Sequence, residues 1–143
     1  MKTNRAASRI HTYSQAYPRL KPLALALFSM APWSAAPVLA VEGGQVVQGQ
    51  GSVQTNQHST TINQQSNALI LNWKNFNIGP NERVQFLQPS SSAIALNRVL
   101  SSDPTSIFGQ LLANGQVFLI NPTGITFGAN ARINVGSLVA STL

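Results

Sequence analysis

The groups in this chain that could do acid–base or metal chemistry are few. There are three carboxylates, Glu42, Glu82 and Asp103, two histidines, His11 and His58, and no cysteine. Glycoside hydrolysis needs two carboxyl groups flanking one bond. Here one acid stands at residue 42, one follows Gly79-Pro80-Asn81 and one precedes Pro104, and nothing in that spacing makes two of them converge. Ser90, Ser91 and Ser92 form a loop-like run with no paired histidine, and there is no His-Glu-x-x-His, nucleophile elbow or Gly-rich phosphate cradle. His58, in a Ser/Thr/Gln-rich stretch, reads as a solvated residue. The absence of cysteine excludes a disulfide framework and thiolate metal sites. No catalytic, cofactor-binding or metal-ligating residues and no enzyme activity are expected.

Recognition chemistry remains. Asn121-Pro122-Thr123-Gly124 is a strong turn signal: an Asn side chain caps a turn locally, Pro presets φ, and Gly accepts positive φ. Its first expected role is that of a turn, with any docking role added to it. Asn114-Gly115 is a second turn signal. Asn97 and Arg98 read as a structural pair buried between coils ahead of a contact site, and Trp73 and Phe76 as core or cap residues ahead of a ligand platform.

The formal charge of +6 invites a nucleic-acid reading, but its distribution removes it. Lys2, Arg5, Arg9, Arg19 and Lys21 all precede residue 41. Beyond it stand Lys74, Arg83, Arg98 and Arg132 against the three acids, a net +1. A nucleic-acid surface clusters its cations on one face to displace counterions; four scattered ones do not.

The basic front is followed by an apolar core at residues 23–31 (LALALFSMA) and then PWSAAPVLA, with Val38 and Ala40 at small-residue positions. This is the layout of a secretory signal peptide with a long front, cut between Ala40 and Val41. The core is about half of what spans a bilayer, and Pro22 and Pro32 bound it, so a retained membrane helix is the weaker reading. Two regions result: residues 1–40 as an extended signal peptide and residues 41–143 as the mature part.

In the mature part, short strand-like runs alternate with turn residues, at 45–49, 52–56, 59–64, 68–73, 83–87, 93–99, 116–121, 125–128, 132–135 and 138–141. Ile62, Leu69, Leu71, Ile133 and Val135 are expected to point inward. Residues 105–113 are open to two readings, a short helix started by Asp103-Pro104 or extended structure, with extended favoured. Such spacing favours a β-sandwich, barrel or solenoid. Composition favours the solenoid: Asn and Gln number 12 and 11 after residue 40, against seven charged residues. Stacked coils place like residues one above another, where like charges repel and amides bond to each other.

The run NWKNFNIGPNERVQFLQPSSSAIALNRVL, followed by SIFGQLLANGQVFLINPTGITFGANARINVGSLVASTL, resembles the N-terminal domain of filamentous haemagglutinin-type exoproteins (the haemagglutination activity domain), the secreted partners of two-partner secretion systems. Asn72-Trp73-x-x-Phe76-x-Ile78-Gly79, Gln88-Pro89-Ser90 with Ala95-Leu96-Asn97-Arg98, and Asn114-Gly115-Gln116-Val117-Phe118-Leu119 occur in that family's order. The resemblance implies an all-β fold, a right-handed parallel β-helix. It also implies a secretion domain of a large adhesin-like exoprotein, exported by the Sec machinery. Such a domain is recognised in the periplasm of a Gram-negative bacterium by an outer-membrane transporter, and it nucleates β-helix folding outside the cell. A host-surface binding module is the alternative function. The family's Asn-Pro-Asn-Gly motif falls on Asn121, Pro122, Thr123 and Gly124, with Thr for the second Asn; its Asn-Pro-Asn-Leu motif has no literal match. Because the family's domains run longer, residues 41–143 are expected to be an incomplete, N-terminal part.

Overall fold

The computed structural model describes residues 41–143. The signal-peptide reading of residues 1–40, Ala40 included, lies outside the described residues. Fourteen strands follow in order: β1 (Val41–Glu42), β2 (Gln45–Gln48), β3 (Gly51–Thr55), β4 (Ser59–Gln64), β5 (Ala68–Trp73), β6 (Asn75–Phe76), β7 (Arg83–Leu87), β8 (Ile94–Val99), β9 (Thr105–Ile107), β10 (Gln110–Ala113), β11 (Gln116–Ile120), β12 (Ile125–Phe127), β13 (Arg132–Asn134) and β14 (Ser137–Ser141). There is no helix among the described residues. Residues 105–113 form β9 and β10 with a corner at Phe108-Gly109. Ile107 and Leu111 are fully buried there, in pairing that a helix would have forfeited.

The strands wind into a β-solenoid. One face stacks β4, β7, β10 and β13 in parallel, the next stacks β5, β8, β11 and β14, and a third pairs β9 with β12. Ile78 bridges to Ile107 on that third face. Ser59 lies beside Arg83, Arg83 beside Gln110 and Gln110 beside Arg132, so successive coils take 24, 27 and 22 residues. The extra residues of the longer coils lie in the connections and leave the rungs aligned.

Inward side chains form rows along the solenoid axis. Leu69, Ala95, Val117 and Leu138 share one row; Leu71, Asn97, Leu119 and Ala140 share the next. Ile62 lies over Phe86, and Val84 over Leu111. Full burial of each large apolar side chain contributes about 1.5–3 kcal/mol, and these rows supply most of the buried set. Ile62, Leu69 and Leu71 are inside as expected. Ile133 is 36% exposed, because it lies in β13, at the outer edge of its sheet, with no strand beyond it.

The first three strands close one end. β1, β2 and β3 run antiparallel to β6, β5 and β4, so the first coil meets no parallel neighbour on that side. Val41, at the expected cleavage junction, begins β1 and is 2% exposed opposite Phe76. Trp73 and Phe76 are buried and meet edge to face at 5.5 Å between ring centroids. Gly44 passes directly under the indole: a Cβ there would lie 2.2 Å from Trp73 Cζ3. At the opposite end β12, β13 and β14 each pair on one side only.

Candidate functional site

The turn Asn121–Gly124 connects β11 to β12 and is built by its own residues first. The Gly124 N–H donates to the Asn121 carbonyl at 3.1 Å, and the Thr123 N–H donates to Asn121 Oδ1 at 3.0 Å. Pro122 holds the second position, and Gly124 takes φ of 133°, a conformation other residues rarely adopt. These bonds involve neighbouring residues only.

A second set ties the turn to other coils. Asn121 Nδ2 donates to the Asp103 carbonyl and to Thr105 Oγ1, both at 3.0 Å. The Asn121 N–H reaches the Ser141 carbonyl at 3.0 Å, and the Thr105 N–H reaches the Gly124 carbonyl at 2.9 Å. Asn121 is 0% exposed, so its amide has no face left for a partner. Pro122 and Thr123 are exposed. The motif therefore divides into two residues that hold its shape, Asn121 and Gly124, and two that present a surface.

The interior contains further amides that the composition alone did not place. Asn97 is fully buried; its Oδ1 accepts the Trp73 Nε1–H at 2.9 Å, and its Nδ2 donates to the Ala95 and Phe118 carbonyls, both at 3.2 Å. Arg98 points the other way, is exposed, and donates through Nε to Asn72 Oδ1 on the preceding rung. The two were expected as one buried pair; strand alternation places consecutive residues on opposite faces and separates them. At the corner after β7, Gln88 Nε2 donates to Gln64 Oε1 and to the Ala93 and Gln116 carbonyls, while its Oε1 accepts the Gly115 N–H. Asn97 stands between Ala95 and Val99 at inward positions, and that alternation was the available signal.

The charged groups have local structural roles. Glu42 accepts from Lys74 Nζ at 3.1 Å and from Asn75 Nδ2 at 3.2 Å, across the β1–β6 pair. The Lys74 hydrogen bond, then that of Asn75 and the charge of Lys74, hold its carboxyl below the ordinary value. Glu82 Oε2 accepts the Gly79 N–H, and Asp103 contributes its backbone groups to the bend at Ser101. Ser90 and Ser92 share a hydroxyl–hydroxyl bond of 3.1 Å at the surface, and His58 is exposed between β3 and β4.

Comparison with known proteins places this architecture. A family model described as TPS secretion domain matches residues 38–143. A heme/hemopexin-binding protein of Haemophilus influenzae (strain ATCC 51907 / DSM 11121 / KW20 / Rd) is 40% identical over 101 residues, which is 71% of this chain and 11% of that protein. Another heme/hemopexin-binding protein of Haemophilus influenzae is 42% identical over 88 residues, 62% of this chain and 10% of the relative. The chain thus spans about a tenth of the length of these curated relatives. Among solved structures, the HMW1 secretion domain from Haemophilus influenzae superposes with a TM-score of 0.68 at 46% identity, covering 72% of this chain and 27% of that one. With its stacked parallel coils and these matches, the chain belongs to the TPS secretion-domain family, the N-terminal secretion domain of two-partner secretion exoproteins.

Proposed function

We propose that residues 41–143 carry the export address that a cognate outer-membrane transporter reads through its periplasmic domains, after a signal peptide has been cut at Ala40–Val41. The observation that carries this reading is the two-stage bonding of Asn121. Its bonds to Thr123 and Gly124 are local and need no coil, so the turn can form in a chain that is still extended. Its bonds to Asp103, Thr105 and Ser141 form only when coils stack. Recognition by the transporter uses the first stage, with Pro122 and Thr123 as the presented pair. Folding outside the cell uses the second, each coil laying its edge on the one before it. Neighbouring chain adds further contact by pairing with exposed sheet edges of the transporter.

The relatives support the export role. Proteins named for heme/hemopexin binding and an HMW1 secretion domain share this segment, so an export role is the property most simply common to them. An aromatic platform on the outside of the coil would support the adhesin alternative; Trp73, at 1% exposure and bonded inside, does not supply one.

The test uses the full chain fused to a passenger, expressed with the cognate transporter. Passenger in the medium is the expected result; its absence counts against sufficiency. Asn121→Ala is expected to lose both secretion and binding to the periplasmic domain. Thr105→Val removes only a second-stage bond and is expected to keep binding while lowering stability. If Asn121→Ala binds and is secreted like the parent, the turn has no docking role.

A further inference from the structure

Asn114-Gly115 is the one Asn-Gly pair in the chain. Asparagine is among the chemically labile residues, and a following glycine, with no Cβ, lets its backbone nitrogen approach the preceding side chain. In the reaction, base removes the Gly115 amide proton and the nitrogen bonds to Asn114 Cγ. The Cγ–Nδ2 bond breaks, and Nδ2 leaves as ammonia. Water then opens the cyclic imide at either carbonyl, leaving aspartate or its β-linked isomer. Water is consumed, ammonia is released, and nothing is oxidised or reduced.

In the folded solenoid the side-chain amide and the attacking nitrogen are all held in other hydrogen bonds. Asn114 Oδ1 accepts the Gln88 N–H at 2.8 Å, and Asn114 Nδ2 donates to the Gln88 carbonyl at 2.7 Å, so the side chain copies a backbone rung. The attacking nitrogen is occupied as well: the buried Gly115 N–H donates to Gln88 Oε1 at 2.8 Å. The Gly115 carbonyl accepts the Gly136 N–H at 2.9 Å, and β10 and β11 fix the peptide from both sides. Asn114 itself is exposed, so bonding, and not exclusion from water, holds it.

We propose that Asn114-Gly115 is a spontaneous deamidation site, open in the unfolded chain and closed by folding. A chain held unfolded therefore acquires a carboxylate where the coil needs an amide. Aspartate at 114 sets an anionic oxygen against the Gln88 carbonyl that Nδ2 had satisfied. The β-linked isomer adds a backbone atom at a corner whose register is fixed on both sides. Either product lowers the stability of the folded form, and the modification records the time a chain has spent unfolded.

The test incubates the full chain at mildly alkaline pH across a series of urea concentrations, with circular dichroism reporting the unfolded fraction and peptide mass spectrometry reporting conversion at each asparagine. Conversion at Asn114 is expected to track the unfolded fraction, at least about tenfold slower in buffer than in high urea. In high urea it should exceed that at Asn130-Ala131, and in buffer lose that lead. Equal rates at Asn114 across the series would overturn the proposal. The Asn114→Asp chain is expected to unfold at lower urea than the parent; an unchanged midpoint would overturn the claim that the product is poorly accommodated.

Discussion

Asn121 shows how much one amide can do when three coils meet at it. Asn121→Ala leaves the Thr123 N–H, the Asp103 carbonyl and Thr105 Oγ1 without their partner. Unsatisfied groups at a buried position make this substitution cost about 2–4 kcal/mol, read as a lower midpoint in urea unfolding. The turn was legible in the sequence because Asn, Pro and Gly each encode local geometry. The burial of Asn121 was not, since it depends on Thr105 and Asp103, which lie a coil earlier. Asn97 was likewise visible as a residue to watch, but pairing it with Arg98 ignored the alternation that sends one inward and the other to Asn72. Gln88 continues the inward alternation of Val84 and Phe86, but no local pattern names its partners Gln64, Ala93, Gly115 and Gln116, which are assembled by the winding.

The strands were legible where one face is polar, and β4, β5 and β7 begin and end where alternation placed them. β11 is less clean: Val117 and Leu119 point inward, while Phe118 and Ile120 line the outside above Leu96 and Arg98. A strand apolar on both faces loses its period. β1 and β6 are two residues each and are defined by meeting one another, so no local pattern marks them. The cap they help to form makes two predictions. Gly44→Ala drives a methyl into the Trp73 ring and should cost about 1–3 kcal/mol, measured as a shift in the unfolding midpoint. Acid should loosen the β1–β6 pair through Glu42. Its folded value lies below its unfolded one, so its contribution is complete above the ordinary glutamate range and is lost as pH falls through the depressed value. Glu42→Gln should remove that acid-side loss from the pH profile of unfolding, and a profile identical to the parent's would place the effect elsewhere.

At the scale of the molecule, stability should be graded along the axis. Each coil contacts mainly its neighbours, and the inward side chains of the last coil, such as Phe127 at 41% exposure, are less covered than those of the first two. Hydrogen exchange is expected to be fastest in β12, β13 and β14 and slowest in β5 and β8; uniform protection would mean a single cooperative unit. The solenoid class could be inferred from amide richness and turn spacing, whereas the antiparallel closure of one end could not, because it reverses the direction that the rest of the chain repeats. That closure gives the winding a direction. With β3 on one side of β4 and β2 on one side of β5, the following coil can lay its strands in parallel only on the other side, as β7 and β8 do. The stack therefore lengthens one way, away from the cap.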